Sequence, residues 1–521
     1  MGKVNLDALI PREDFEVKDN VSQNVGRNTS TIQLHNLRKG EFFFSSIRKP
    51  DFQRETNEWD PAKIVGLIES YINGDLIPAI ILWNNFGSYT FVIDGSHRLS
   101  ALAAWVNDDY GDGSISRDFY ETIISDEQIK IAERTRYVVR RKIGSYEEYQ
   151  LAIESPEKVK TEIVEKAKAL GRLALQLQWV DGDAAKAEES FFKINQEAAP
   201  INPTELILLK ARKKPNGLAA RAIIRSGTGH KYWSKFDENI QDKIEKTSKE
   251  INNLFFIPPL KSPIKTLDLP IAGKLYSSQT LPLILNFINI VNDLTNIEND
   301  MISDDSDGNS TLEYLENCKK IASRINSNNS GSLGLHPAVY LYSKKGQYKI
   351  VSFYAVVALI LEFDKDKELL HNFIKNREYF EKILLDYDYF ISQIVRKYRR
   401  GTNSYPYIKE FFVEVIKKLA EGKPKDEVID AILKENKFEY LTFQKEEIDE
   451  DDSSKEFSPT IKSAVFIRDA MQNALKCKIC NGYIHRNSIS IDHIKRKSEG
   501  GLGIEDNGQI THPYCNTTYK N

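Results

Sequence analysis

Residues 477–521 read CKICNGYIHRNSISIDHIKRKSEGGLGIEDNGQITHPYCNTTYKN, and two pairs of metal-binding side chains frame this stretch. Cys477 and Cys480 form a C-x2-C pair, and His512 and Cys515 repeat the same spacing. Two such pairs on either side of a short β segment can close a tetrahedral zinc site. The segment is too small to bury a core of its own, so we expect zinc binding to drive its folding.

The residues between and after these pairs include the groups that hydrolysis of a phosphodiester needs. His493 ends an alternating run that contains Ile489 and Ile491, which predicts that it lies at the end of a strand. A neutral imidazole in that position can take a proton from water. Asp492 and Asn516 carry oxygen donors that suit one Mg²⁺ or a similar hard cation. An activated water and a cation are the two parts of metal-dependent phosphodiester hydrolysis.

The order of residues in this stretch resembles the HNH (ββα-metal) nuclease family, through Asp492-His493, Gly500-Gly501, Asn507 and Asn516. The resemblance implies that Asp492 and Asn516 hold the catalytic ion. It also implies that His493 is the general base and that Asn507 orients it. His512 stands where the family usually has cysteine, but histidine is an ordinary zinc ligand. The alternative is a structural zinc knuckle in which His493 has no catalytic role.

Length and composition describe an ordinary multidomain protein. A chain of 521 residues with 41% hydrophobic residues should fold as two to four domains. It has no run of eighteen apolar residues and no apolar signal core at its N-terminus, so we expect no membrane span and a cytoplasmic location. Three of the four cysteines belong to the zinc pattern and Cys318 is alone, which fits a reducing compartment. The net charge of −3 does not by itself indicate a nucleic-acid partner.

A second informative stretch contains a tight turn between a strand and a helix. Residues 80–83 and 89–93 are predicted to form two strands. The turn DGSHR at 94–98 then leads into a predicted helix over 99–106. Backbone N–H groups at such a turn, the helix dipole and the Arg98 guanidinium favour the binding of a phosphate. The alternative is a structural role, in which Arg98 pairs with Asp94 or Glu55 and only stabilises the fold.

This turn resembles that of the ParB-like/DGQQR superfamily, including its DGQHR variant, and further matches flank it at Gln53-Arg54, Trp59 and Ile77-Pro78. The segment 186–212, with Phe192, Ile194 and Asn195, resembles the same superfamily. The resemblance implies a domain that binds or hydrolyses a nucleotide, and Ser96 in place of the usual glutamine favours binding over hydrolysis. It assigns nucleotide binding to Gln53, Arg54, Asp94, Gly95, Ser96, His97, Arg98 and Asn195. Asn195 could instead cap the helix that follows it.

Three groups of basic residues are candidates for contacts with DNA phosphates. The first, Lys495-Arg496-Lys497, directly follows the presumed base, although a solvated loop would have the same composition. The second mixes cations with an aromatic ring, as base-stacking surfaces do, and consists of Arg225, His230, Lys231 and Trp233. Trp233 could equally anchor its loop to the core. The third is a basic stretch over 134–142, read as a strand that either binds nucleic acid or forms a charged sheet edge.

The whole chain is therefore predicted to be an α+β multidomain protein. Residues 1–215 form the ParB-like α+β domain, and 216–444 form a mostly α-helical middle domain. Residues 445–460 form an acidic linker, and 461–521 form the zinc-stapled ββα-metal HNH module. Residues 445–456 contain seven acidic and two basic side chains, which is typical of a flexible tether. Such a tether could hold the nuclease away from DNA until the body changes state.

These features predict a metal-dependent DNA endonuclease controlled by an N-terminal domain that senses a nucleotide or a DNA feature. Resemblance to restriction and phage-defence proteins with a DGQQR domain implies a role in modification-dependent restriction or antiviral defence. We expect structural Zn²⁺, catalytic Mg²⁺ or a similar ion, and an NTP as cofactors. The expected partners are DNA and a nucleotide, with homo-oligomerisation left open. The alternatives are a nucleotide-dependent DNA-binding regulator whose HNH module does not cleave, and an NTPase that depletes nucleotides.

Overall fold

The structure of the protein is a computed structural model that describes residues 3–13, 15, 28–50, 53, 56, 59–85, 89–120, 124, 126–198, 207, 210–228, 230–275, 279–298, 301–399, 401–443 and 456–520. The chain folds as two compact units. One consists of Met1–Arg212 with Thr228–Tyr232, and the other of Lys213–Gly227 with Trp233–Asn521. None of the helices in the described part of the chain is long and apolar enough to cross a membrane.

The first unit is built on a six-stranded sheet in which hydrogen-bonded neighbours follow the order β1-β3-β5-β4-β6-β2. Its strands are β1 (Arg12–Glu13), β2 (Thr31–Ile32), β3 (Ile47–Pro50), β4 (Ile80–Asn84), β5 (Thr90–Asp94) and β6 (Leu175–Trp179). Strand β3 is parallel to both β1 and β5, whereas β4 is antiparallel to β5 and parallel to β6. The carboxyl ends of β1, β3 and β5 therefore lie at one edge of the sheet, where ligands of open α/β sheets usually bind.

Helices cover both faces of this sheet. They are Phe42–Ser46, Pro61–Asn73, Ser96–Asn107, Ser114–Phe119, Asp126–Lys142, Tyr146–Glu154, Thr161–Leu170 and Ala184–Ala198. Ile80 and Leu82 of β4 point into one hydrophobic cluster, and Trp83 points into the other with Phe191 of the last helix. Strands buried on both faces read as continuous apolar runs, as IILW does here.

The local patterns of this unit were predicted well, with one exception. The two strands expected at 80–83 and 89–93 are confirmed as β4 and β5, and the helix after the DGSHR turn begins at Ser96 rather than at 99. The basic stretch over 134–142 was wrongly predicted as a strand, because it belongs to the helix Asp126–Lys142. Its buried residues recur every three or four positions, and its cations complement the negative end of the helix dipole.

The second unit is mainly helical, as predicted for the middle of the chain. Its helices are Pro215–Ile224, Glu238–Phe256, Thr280–Val291, Asn309–Ile325, Pro337–Tyr340, Ile350–Lys365, Lys367–Lys375, Arg377–Asp386, Asp388–Tyr398, Gly401–Ala420, Lys425–Leu433 and Pro459–Gln472. Three buried rings link the helices Glu238–Phe256, Thr280–Val291 and Ile350–Lys365. Their centroids are 4.9 Å apart for Phe255 and Phe287, 5.6 Å for Phe255 and Phe353, and 5.7 Å for Phe287 and Phe353. Edge-to-face and tilted contacts at these distances are favourable for aromatic pairs.

The C-terminal segment of this unit is a small hairpin followed by a helical turn. Strands β7 (Ser490–His493) and β8 (Gly508–Thr511) pair antiparallel, and the turn covers Cys515–Tyr519. The segment rests on the helical part through Ser332, whose carbonyl accepts from Tyr514 N at 3.1 Å and whose hydroxyl lies 3.0 Å from Ser488 Oγ. The acidic run 445–456 lies outside the described residues except for Glu456, so its role as a tether stays a prediction.

Candidate metal centre and active site

Four buried side chains of the hairpin segment converge on one point. The ligand atoms of Cys477, Cys480, His512 and Cys515 all lie within 4.8 Å of one another. His512 Nδ1 lies 3.4 Å from Cys480 Sγ and 3.9 Å from Cys515 Sγ. Ligands of a tetrahedral zinc ion stand roughly 3.5 to 3.8 Å apart, given Zn–S and Zn–N bonds of about 2.3 and 2.1 Å. The donor set and its spacing therefore fit zinc.

Hydrogen bonds and burial shift the pKa values of these side chains in both directions. Bonds from the Cys480 and Cys515 thiols lower the pKa of Cys477, so a thiolate is favoured there, while the shared bond with Cys477 raises the pKa of Cys480 to about 12. Burial lowers the pKa of His512, which keeps the imidazole neutral, as a ligand must be. His512 Nε2 lies 3.0 Å from the Tyr483 carbonyl oxygen. Donation to that oxygen leaves Nδ1 for the metal.

A buried cation adjoins this cluster, and sequence reasoning did not identify it. Arg377 donates to the carbonyls of Leu333 and Gly334 at 2.6 and 2.9 Å, and its Nη1 lies 3.2 Å from His512 Nδ1. Burial lowers the pKa of the Arg377 guanidinium, but the neighbouring Glu381 carboxylate raises it, and the net shift is upward. Three thiolates and one Zn²⁺ would carry a net charge of −1, and the guanidinium of Arg377, which also pairs with Glu381, lies close enough to offset part of it.

The candidate catalytic residues lie on the hairpin and on the turn that follows it. Asp492 is buried on β7, and its Oδ2 accepts a hydrogen bond from Gln509 Nε2 at 2.7 Å. Asn516 donates through Nδ2 to Ser490 Oγ at 2.7 Å and to the Ile491 carbonyl at 3.2 Å. Asn516 is therefore held against β7 at the two residues that precede Asp492. Because both side chains carry oxygen atoms, the pair offers the donor types that a hard divalent cation requires.

His493 ends β7, as its place in the sequence predicted. Its half-buried ring makes no hydrogen bond to any described residue. Asn507 Oδ1 accepts from Lys495 N at 2.7 Å, and its Nδ2 donates to the Leu502 carbonyl at 2.8 Å. The Asn507 carbonyl also accepts from Ile494 N at 2.8 Å. Asn507 therefore braces the chain immediately after His493 rather than bonding to the ring.

The predicted basic residues fall into two groups. Lys495, Arg496 and Lys497 are exposed on the loop after β7, where phosphates can reach them. Trp233, in contrast, is fully buried and donates its indole N–H to Glu245 Oε1 at 3.1 Å. A buried indole offers no face to a base, so the structure supports the alternative in which Trp233 anchors its loop to the core.

The remaining residues predicted to contact DNA also differ from the expected open surface. Arg225 is buried. His230 and Lys231 are partly exposed, and the His230 ring makes an edge contact with the Tyr232 ring at 4.5 Å. Arg225 and Trp233 are therefore withdrawn from solvent, and DNA contact through His230 and Lys231 stays a prediction.

In the first unit, the DGSHR turn lies at the carboxyl-terminal edge of the parallel strands. Strand β5 ends at Asp94, Gly95 follows with a φ of +98°, and the helix Ser96–Asn107 begins at once with a buried serine. Strand β3, the parallel neighbour of β5, ends at Pro50, which brings Gln53 to the same edge. Gln53 is buried, and its Oε1 accepts no hydrogen bond from any described residue. This edge thus offers an acceptor to a bound polar ligand.

Arg98 is engaged inside the turn. Its Nη2 donates to Asp94 Oδ2 at 2.8 Å and to the Ala79 carbonyl at 3.1 Å. This is the structural pairing that the sequence left as the alternative, and a phosphate would have to compete with Asp94 for the guanidinium. The ring of His97 lies 6.0 Å from that of Trp59, tilted by 30°.

Two predicted nucleotide-binding residues lie partly or wholly outside the described residues. Arg54 is not among them, and neither is Glu55. Asn195 belongs to the helix Ala184–Ala198, but its side chain is outside the described part of the chain. That helix packs Phe191 against the sheet, so the segment reaches the strand that leads to the turn.

Three buried charged residues near Gln53 were not predicted. Asp7 accepts from Lys49 Nζ at 2.7 Å and pairs with Arg12, which in turn donates through Nη2 to the Gln53 carbonyl at 3.2 Å. Lysine is almost never fully buried unless it is paired. The only local signal was the position of Lys49 in a short strand, which one sequence cannot distinguish from a surface lysine.

Two parts of the chain match known families. Residues 33–212 match the family described as GmrSD restriction endonuclease, N-terminal domain. Residues 477–521 match the HNH endonuclease family. No curated protein and no solved structure matches the chain. The two family matches support a nuclease in restriction or defence, whereas the ParB-like/DGQQR resemblance goes beyond them and stays a prediction.

Proposed function

We propose that the protein is a DNA endonuclease whose HNH module cleaves phosphodiester bonds with a divalent cation, under the control of the domain that contains residues 33–212. The observation that carries this proposal is the position of Asp492, His493 and Asn516 around the end of β7, next to the Cys3His cluster. These residue types are what metal-dependent hydrolysis requires. The match of residues 33–212 to a restriction endonuclease domain supports a role in restricting foreign DNA.

Each part of the module has a distinct task in this proposal. The Cys3His cluster would hold a structural Zn²⁺, because all four ligands are buried and no position is left for a substrate. Asp492 and Asn516 would hold a divalent ion, which supplies charge stabilisation at the leaving oxygen when bound. The ring of His493 takes the proton of the attacking water. Asn507 keeps the turn after His493 in place through its bonds to Lys495 and Leu502.

The proposed sensing function rests on the sheet edge of the first unit. Gln53 offers a buried acceptor there, and the Arg98 guanidinium is bonded to Asp94 at the end of β5. A nucleotide phosphate that displaces Asp94 from Arg98 would convert a local ion pair into a ligand contact. An NTP or a modified nucleotide in DNA would both present suitable groups.

The test is cleavage of plasmid DNA with Mg²⁺ by the wild type and by His493→Ala, with and without a mixture of NTPs. We expect the variant to lose at least a hundredfold in rate, which is typical for removal of a general base. Zinc content is the folding control, because His493 is not among the four ligands and the variant should keep its metal. Equal cleavage by both proteins would refute the assignment. Binding of DNA without any cleavage by the wild type would favour the regulator.

A further inference from the structure

A lysine ammonium lies at the carboxylate that the proposed function assigns to the catalytic ion. Lys520 Nζ donates to Asp492 Oδ2 and to the His493 carbonyl, both at 2.6 Å. The two side chains are largely shielded from solvent, with 20% of Lys520 and 8% of Asp492 exposed. Gln509 donates to the same Oδ2, so this oxygen has two donors.

The backbone holds Lys520 in that position. Its N–H donates to the Cys515 carbonyl at 3.2 Å, and its own carbonyl accepts from Arg496 Nη2 at 2.7 Å. Lys520 thus follows the helical turn that carries both a zinc ligand and Asn516. These bonds fix the backbone of Lys520 beside β7, and the fold of the hairpin segment therefore decides where its side chain begins.

We propose that Lys520 occupies the cation position of the active site until a divalent ion displaces it. This competition lowers the affinity of the site for the divalent ion and so sets the ion concentration that the site requires. This inference rests on the proposed function, because it needs Asp492 as a metal ligand. An ammonium and a divalent ion on the same carboxylate oxygen would repel each other strongly in a shielded site. The four-carbon stem of lysine lets the ammonium leave without moving the backbone.

The test is the affinity of the zinc-loaded full-length protein for Mn²⁺, measured by electron paramagnetic resonance without DNA. Lys520→Met should bind Mn²⁺ about tenfold or more tightly than the wild type, because a hydrogen-bonded ion pair no longer competes. Lys497→Met is the matched control. It removes one exposed positive charge from the loop after β7 and leaves untouched the Arg496 bond that holds Lys520, so its affinity should change by no more than about threefold.

The outcomes separate this inference from the proposal on which it rests. Unchanged or weaker Mn²⁺ binding by Lys520→Met, or the same gain with Lys497→Met, would overturn the displacement of Lys520. Asp492→Asn should lose Mn²⁺ binding, and wild-type affinity in that variant would overturn the metal site of the proposed function as well. Lys520→Gln, which keeps a polar side chain without the charge, gives the same comparison if the methionine variant does not fold.

Discussion

Loss of Arg377 should destabilise the hairpin segment, which carries the Cys3His cluster, more than loss of any exposed charge around it. The Arg377–Glu381 pair is almost completely buried, with side-chain exposures of 0% and 1%, and Nε donates to Oε1 at 2.7 Å. Glu381 also accepts from the Tyr340 hydroxyl at 2.9 Å and from Tyr483 N at 2.8 Å. Tyr483 belongs to the loop that carries the first cysteine pair, so this pair connects the helical part of the unit to the metal cluster.

Arg377→Met should cost about 3–5 kcal/mol locally, because it leaves the Glu381 carboxylate buried without its cation. The matched control is Lys476→Met. Lys476 pairs at 3.3 Å with Glu378, which directly follows Arg377 on its helix. Both side chains of this pair are 41% exposed. An exposed pair contributes about 0–1 kcal/mol, so the control should behave nearly as the wild type does.

The assay is the rate of zinc release to a colorimetric chelator, because a chain with two units need not unfold in one step. A local cost of about 3–5 kcal/mol makes opening, and with it zinc release, roughly a hundredfold or more faster. The double variant Arg377→Met with Glu381→Met removes the unpaired charge and should recover part of the loss. Similar release rates for Arg377→Met and Lys476→Met would refute this account of the buried pair.

Three further predictions concern the same unit. Burial lowers the pKa of His485 from 6.5 to about 4, so protonation favours the unfolded state and thermal stability should fall as the pH drops from about 6.5 to about 4. His485→Gln should reduce the change in the free energy of unfolding over that pH range by up to about 3 kcal/mol, and the Tm should then vary less with pH. Gly334 has a φ of +59°, and a Cβ there would meet Ser488 and His512, so Gly334→Ala should lower the Tm. Gly422→Ala, at a φ of +78° but with open space around it, measures backbone strain alone and should lower the Tm less. Removal of zinc should expose the amides of the hairpin segment to hydrogen exchange while the longest helices keep their protection, and unchanged exchange would contradict a structural metal.

The metal cluster could be predicted because its information is local. Cys477, Cys480, His512 and Cys515 occur within one short stretch, and their spacing reflects the geometry of a tetrahedral ion. The strand end at His493 was also readable from alternation. The same holds for β4 and β5 in the first unit, which appear as apolar runs bounded by a glycine turn.

The residues that were missed derive their role from contacts with distant parts of the chain. Arg377 and Glu381 are spaced i,i+4 on a helix, and in sequence such a pair is indistinguishable from an exposed one. Lys520 lies 28 residues after Asp492 in the sequence. Only the packing of the turn Cys515–Tyr519 against β7 brings the two side chains together. The basic stretch over 134–142 was predicted as a strand for a related reason. Its helical repeat is carried by the buried residues, which one sequence does not identify among so many charges.

The buried pair also limits how the nuclease could be controlled. In the described state the hairpin segment is not an isolated appendage, since Glu381 and Ser332 bind its backbone. Release of the segment would break the bonds that Glu381 and Ser332 make to its backbone and would open the Arg377–Glu381 pair to water. A ligand that drives this release must bind the released state more tightly than the docked one, by a factor that offsets those lost contacts. Control at the divalent site breaks only the bonds of Lys520 to Asp492 and His493. A smaller difference in affinity is therefore enough, and this is the less costly route to a switch.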